Sequence, residues 1–198
     1  MTDGYYSLKR EGEFLYKEKG SKFIGYAFPC EDKNEFEESL KGIQAKHPNA
    51  RHACYAYRFN PENEEYRVND DGEPSGTAGL PIYNQMKSNE LFQSGLVVIR
   101  YFGGTKLGAA GLVQAYKLAA QGSISEAQVE WKRNLISLIL DFAYDQTGPV
   151  MRKINELPVE ILEQSHEKTT RIKLGFLPSD RERVIENFKL IHPIKIEE

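Results

Sequence analysis

Residues 95–116 read GLVVIRYFGGTKLGAAGLVQAY. The run LVVI is apolar without alternation, the pattern of a strand buried on both faces. Leu112, Val113, Tyr116, Ala119 and Ala120 then fall on one face of a helix, with Gly122 placed to end it. Between strand and helix lie four glycines, a threonine and a lysine. A helix that starts there presents unpaired N–H groups and the positive end of its dipole. Glycines before it let an anion approach the backbone, and a lysine adds charge. Arg100, Gly103, Gly104, Thr105, Lys106 and Gly108 are therefore candidate anion-binding residues. The spacing is not that of a P-loop, because Lys106 is followed by Leu107 rather than Ser or Thr. Nor is it GxGxxG. The alternative stays open that these glycines serve only positive φ and close packing.

Upstream, EFLYKEKG and SKFIGYAFPC read as strands that turn at Gly20 and Ser21. Phe36, Leu40 and Ile43 form a helical stripe, with Asp32 or Asn34 as cap, Pro48 beyond the end and Glu37–Lys41 as an i,i+4 pair. RHACYAYRF is a strand that turns through NPENE into EYRVND. DGEPSGTAGLP holds too many turn formers for regular structure. IYNQMKSNELF predicts a short helix. SEAQVEWKR, past Gly122, reads as a connector.

Downstream the pattern restarts. NLISLILDF is a strand, GPVMRKINEL a helix, VEILEQSH and TTRIKLGFL two strands turning at Glu167 and Lys168, and SDRERVIENFKL a helix capped by Ser179. HPIKIE closes as an edge strand, since proline removes a ladder donor. That order, βαββαβ, is the ferredoxin-like split motif. The expected division is residues 1–130 and residues 134–198, an α+β chain of two domains.

The net charge is −3, with 40% apolar and 28% charged residues. Residues 1–130 hold 15 basic against 18 acidic groups, and the remainder 11 of each. Neither half is a basic tail, which argues against general phosphate neutralisation. No apolar run approaches the roughly 18 residues that span a bilayer. The first residues lack a signal-peptide core. The two cysteines have no metal-ligand spacing. The expectation is a cytoplasmic protein with reduced thiols and no membrane partner.

Two further stretches are candidates for chemistry. In NDDGEPSGTAG, residues 69–79, Asp70, Asp71 and Glu73 could hold a divalent cation, and Ser75, Gly76 and Thr77 could face phosphate oxygens. It is no EF-hand, because position twelve from Asp70 is Pro81. The alternative is a turn-rich loop built on Asx turns. In ARHACYAYR, His52, Cys54, Ala56 and Arg58 share one strand face, and Ala53, Tyr55, Tyr57 and Phe59 the other. A His–Cys dyad lacks a third orienting group there. The competing readings are a buried cysteine beside a hydrogen-bonded histidine, or a histidine that faces a ligand.

Four pieces together resemble the IMPACT family, especially its bacterial YigZ-type members: SKFIGYA, HPNARHACYAYR, DDGEPSGTAGLPI and VVIRYFGGTKLGAAGLVQAY. The resemblance implies an N-terminal α/β sandwich like the second domain of a small-subunit ribosomal protein, and a C-terminal ferredoxin-like domain similar to elongation-factor domains. Eukaryotic members carry an additional N-terminal module and restrain a translation-controlling kinase. No stretch of that length precedes the matching pieces, so that role is not carried over. Three positions depart from the pattern: Ala110 where glycine is common, Gln114 where arginine is common, and Ala53 where some relatives have a second histidine. Losing a cation at 114 implies weaker phosphate binding.

The expected function is translation-associated binding of RNA, the ribosome or a translation factor through the glycine-rich loops, non-enzymatic and with no cofactor required. Arg51, Arg58, Arg67, Arg100 and Lys106 would form its local basic surface. Two alternatives stand beside it. One is a nucleotide- or phosphate-dependent small-molecule enzyme, with Mg2+ accompanying the phosphate. The other is a protein-interaction regulator of translation. Oligomeric state is not legible.

Overall fold

The computed structural model describes residues 3–166 and 169–197. The described residues form two compact units, one of Tyr5–Lys132 and one of the described residues from Arg133 onward together with Asp3 and Gly4. Both mix helices with antiparallel sheet. No helix among the described residues is long and apolar enough to cross a membrane.

The N-terminal unit runs β1 (Gly4–Leu8), β2 (Gly12–Glu18), β3 (Ser21–Pro29), α1 (Lys33–Lys46), β4 (His52–Phe59), β5 (Glu65–Asn69), α2 (Gly79–Ser88), β6 (Ser94–Tyr101), α3 (Gly108–Ala127) and β7 (Val129–Arg133). Five strands form an antiparallel sheet in the order β2-β3-β6-β4-β5. β1 and β7 pair as a separate ribbon, where Tyr6 and Trp131 meet edge to face with centroids 4.9 Å apart. β6 is central, and its apolar run is divided between two cores. Leu96 and Val98 pack with α2 and α3, while Val97 and Ile99 pack with Phe36 and Ile43 of α1. Helices on both faces explain why the run does not alternate. β4 is divided in the same way: Cys54 and Ala56 join the first core, and Ala53, Tyr57 and Phe59 the second.

Asp32 is the cap of α1, accepting from the N–H groups of Asn34 (2.7 Å) and Glu35 (3.0 Å). The ion pair on its surface is Lys33–Glu37 at 3.6 Å, one turn before the expected Glu37–Lys41. α2 begins three residues ahead of IYNQ, since Pro81 sits in its first turn, where a missing N–H costs nothing. α3 does not end at Gly122. It continues to Ala127, and the stretch read as a connector supplies its last three residues and β7. Gly122 is a packing glycine: a Cβ there would lie 2.2 Å from the Phe14 ring. A Cβ on Gly25 of β3 would lie 2.3 Å from the Ala119 carbonyl oxygen. These two residues let α3 settle directly on β2 and β3.

The C-terminal unit runs β8 (Ile136–Phe142), α4 (Thr147–Glu156), β9 (Glu160–His166), β10 (Thr170–Phe176), α5 (Arg181–Lys189) and β11 (Ile194–Glu197). Its sheet order is β11-β8-β10-β9, with β11 at an edge. Leu138, Leu140, Ile172 and Leu174 from the strands meet Val150, Val184 and Phe188 from the helices, all fully buried or nearly so. The expected turn at Glu167 and Lys168 lies outside the described residues. Ser179 does not cap α5. It lies in a 3-10 turn, Pro178–Asp180, which leaves Asp180 at the N-cap position.

Replacing Gly25 or Gly122 by alanine is expected to cost about 1–3 kcal/mol or more through overpacking. Gly42→Ala, in mid-α1 with nothing within 4 Å of the new Cβ, is expected to gain about 0.5–1 kcal/mol. Urea denaturation of the three variants checks both signs.

Candidate functional site

The loop between β5 and α2 is held together by Asp70. Its Oδ1 accepts from the N–H groups of Ala78 (3.0 Å) and Gly79 (2.9 Å), and its Oδ2 accepts from Gly76 N–H (2.9 Å). Asp70 thus caps α2 from eight and nine residues away. Burial works against its ionisation, but the three backbone donors outweigh burial and hold its carboxyl below the ordinary range. Asp71 takes a different direction, its Oδ2 accepting from Ala53 N–H at 2.7 Å. Its carbonyl lies 2.7 Å from His52 Nδ1. A carbonyl only accepts, so Nδ1 carries the proton and Nε2 is the open nitrogen. Nε2 lies 4.0 Å from Glu73 Oε1.

Glu73 is buried, and its Oε1 accepts from Arg100 Nη1 (2.5 Å) and from the Tyr116 hydroxyl (2.9 Å). Burial, the neighbouring Cys54 and Glu73 all raise the pKa of Tyr116, so it stays a donor. Arg100 is 6% exposed, and its buried Nε has no acceptor among the described residues. Its guanidinium carbon lies 5.4 Å from the Phe23 ring centroid and 5.6 Å from that of Phe102.

These groups bound an open cleft of ≈ 490 Å³, lined by Arg51, His52, Glu73, Arg100, Phe102 and Lys106, with Pro74, Leu112 and the start of α3 at Leu107, Gly108 and Ala109. Three cations and a helix N-terminus face one carboxylate that already has two donors. The first turn of α3 has no side-chain cap and no acidic residue. On a chain of net charge −3, this is a local positive field.

The expected site residues separate accordingly. His52, Glu73, Arg100, Lys106 and Gly108 come together in the cleft. Gly104 and Gly108 have φ of +85° and +70° with open space where a Cβ would stand, so they serve backbone conformation and leave room. Gly103 packs instead: a Cβ there would collide with Gly20, and its N–H donates to Ser21 Oγ at 3.1 Å. Gly103, Gly104 and Thr105 lie outside the cleft lining, as do Ser75, Gly76 and Thr77. Gly76 borders a separate depression beside Leu80 and Lys117. The Thr77 hydroxyl is committed to the Pro74 carbonyl at 2.6 Å. Asp70, Asp71 and Glu73 point at three different sets of donors. Among the described residues, no three His, Cys, Asp or Glu side chains are grouped to hold a metal ion.

Cys54 and His52 share a face of β4 but turn apart. The Cys54 thiol donates to the Asp70 carbonyl (3.0 Å) and lies 3.3 Å from the Tyr116 hydroxyl. Burial pushes its pKa up to about 12 despite the Tyr116 hydrogen bond, which lowers it. It is therefore a core thiol with no nucleophilic partner. The residue missed in the sequence is Tyr116. Its position on an alanine-rich helix face reads as core, yet a buried tyrosine hydroxyl needs a partner, and here it finds Glu73.

Asp70→Asn is expected to destabilise the protein by about 1–3 kcal/mol, because an amide cannot accept from three N–H groups with both oxygens. The folded pKa of Asp70 is lowered, so its contribution is present above the ordinary value of 3.8 and lost as pH falls below it. The gap in urea midpoint between wild type and the variant should close below about pH 4. A gap that holds constant down to pH 2.5 would contradict this assignment.

The Impact N-terminal domain model matches residues 19–124. IMPACT family member YvyE of Bacillus subtilis (strain 168) is 33% identical over 156 residues, covering 79% of this chain and 72% of that protein. An IMPACT family member of Haemophilus influenzae (strain ATCC 51907 / DSM 11121 / KW20 / Rd) is 34% identical over 174 residues, covering 86% and 82%. A crystal structure of a hypothetical protein aligns over 99% of this chain and 97% of its own with a TM-score of 0.73 at 21% identity, a likeness of fold. The YigZ-type subdivision is not separated from other members at such similar identities. With the domain model covering more than half of the chain, and relatives 33% and 34% identical aligned over 72% and 82% of their own length, the chain belongs to the IMPACT family.

Proposed function

We propose that this chain is a translation-associated binding protein that engages RNA at its phosphates through the cleft at the start of α3. One observation carries the reading: an acidic chain gathers Arg51, Arg100 and Lys106 around an uncapped helix N-terminus. Exposed Phe102 beside Arg100 adds a face on which a base can stack. Family membership supports the link to translation that the motifs imply. The antiparallel sheet with α2 and α3 on one face supports a ribosomal-protein-second-domain-like N-terminal unit. The βαββαβ order and the β11-β8-β10-β9 sheet support a ferredoxin-like C-terminal one.

The two exposed cations of the cleft, Arg51 and Lys106, acting on single-stranded RNA predict a slope of about −1.4 for log K against log salt. Lys106→Ala should weaken binding and flatten that slope by about 0.7. Fluorescence anisotropy with labelled single-stranded RNA at several salt concentrations measures both. The absence of salt-dependent binding to any RNA would refute the proposal.

A second reading rests on His52. The Asp71 carbonyl fixes its tautomer and leaves Nε2 free at the cleft, the posture of a general base in a phosphate-dependent enzyme. That reading expects a nucleotide with Mg2+ to raise the melting temperature, by about 2.7 kcal/mol of stability at 100-fold excess over Kd. A flat response across a nucleotide panel counts against it.

A further inference from the structure

Arg100 is placed unlike a residue that tracks an RNA backbone. Such residues sit at the surface, whereas Arg100 lies on the central strand β6 and is 6% exposed. One of its five N–H donors goes to Glu73, and Nε is buried without an acceptor among the described residues. In a native fold a buried donor left unmatched calls for an explanation, an ordered water or a bound group among them. The residue also lines the cleft, so whatever meets it must reach the cleft floor.

The walls limit what can reach that depth. Leu107, Gly108, Ala109 and Leu112 bring the start of α3 to one side, and Glu73 and Pro74 close another. Gly108 leaves open the space a Cβ would fill. A cleft of ≈ 490 Å³ matches a mononucleotide in scale and not a duplex. An internal phosphodiester carries a sugar on each side and a single charge. A terminal phosphate has one substituent, three free oxygens and a charge of about −1.5 to −2. The terminal group presents more acceptors and more charge than an internal phosphodiester to Arg100, Lys106 and the first-turn N–H groups of α3. Phe102, 47% exposed with its ring centroid 5.6 Å from the Arg100 guanidinium carbon, lies where the base of the same nucleotide would stack.

We infer that the cleft recognises a terminal phosphomonoester next to a base, with Arg100 at its floor, Lys106 at its rim and Phe102 as the stacking face. Two sources share that chemistry: a phosphorylated RNA end and a free nucleoside monophosphate. The RNA-end form rests on the RNA reading above, while the monophosphate form does not.

The test uses the full chain and one single-stranded RNA in three forms, with hydroxyl ends, a 5′-phosphate or a 3′-phosphate. AMP, adenosine and inorganic phosphate are titrated beside them. A phosphorylated RNA end is expected to bind about tenfold more tightly than the hydroxyl form, and AMP to outbind adenosine by a similar factor. Lys106→Ala and Phe102→Ala change exposed residues and should leave the fold intact. The first should cut the phosphate preference several-fold. The second should weaken AMP but not inorganic phosphate. Arg100→Lys, with its melting curve as the folding check, should bring the preference to within twofold of none. Equal affinity for all three RNA forms, with AMP no better than adenosine, overturns end recognition and leaves the RNA reading standing. AMP binding without RNA binding sinks the RNA reading and supports the pocket. No binding of any phosphorylated probe overturns both.

Discussion

The buried ion pair between Arg100 and Glu73 constrains everything around the cleft. A charge on a central strand with helices on both faces of the sheet is costly unless it is paired. The partner comes from an irregular loop, at a separation of 27 residues. Holding Glu73 against β6 fixes the loop between β5 and α2, and the Tyr116 hydroxyl ties the same oxygen to α3. Asp70 then gathers the loop's own N–H groups and starts α2, while the Asp71 carbonyl orients His52 on β4. A segment without regular structure is thus specified by three carboxylates that point in three directions. Removing one partner of the central pair strands a buried charge, which generally costs about 3–5 kcal/mol.

What was legible in the sequence and what was not divides along one physical line. Local periodicity placed β6 as doubly buried, assigned the two faces of β4 and ordered the C-terminal elements, because those signals lie within single elements. Errors arose where a partner was remote. Gly122 looked like a helix stop, but its purpose is set by Phe14, more than a hundred residues earlier. The start of α2 at Gly79 was not legible because the Asp70 cap that sets it is nine residues away in the chain. Glu73 was grouped with Asp70 and Asp71 as a candidate cation ligand, and its pairing with Arg100 was not legible because the two are 27 residues apart. The three carboxylates are neighbours in sequence, and each accepts from a different set of donors.

The glycine-rich loop answers its own question in both ways. Gly103 is a contact glycine, pressed on the hairpin turn at residues 20 and 21. Gly104 and Gly108 touch nothing at the Cβ position and keep positive φ. The distinction is invisible in GGTKLG, where all three look alike. Of the two open glycines, only Gly108 lies in the lining of the cleft beside the helix N-terminus.

Gln114 was the residue that most weakened an anion-binding reading, since an arginine is common there in the family. It is exposed on α3 and lies outside the cleft lining. Ala110, the other departure in this stretch, is likewise exposed and outside it. The cations that line the cleft come instead from the residue before β4, from β6 and from the loop itself: Arg51, Arg100 and Lys106. An arginine at 114 would add to the field over α3 without lying in that lining. The substitution at 114 leaves the buried Arg100–Glu73 pair and the cations that line the cleft untouched.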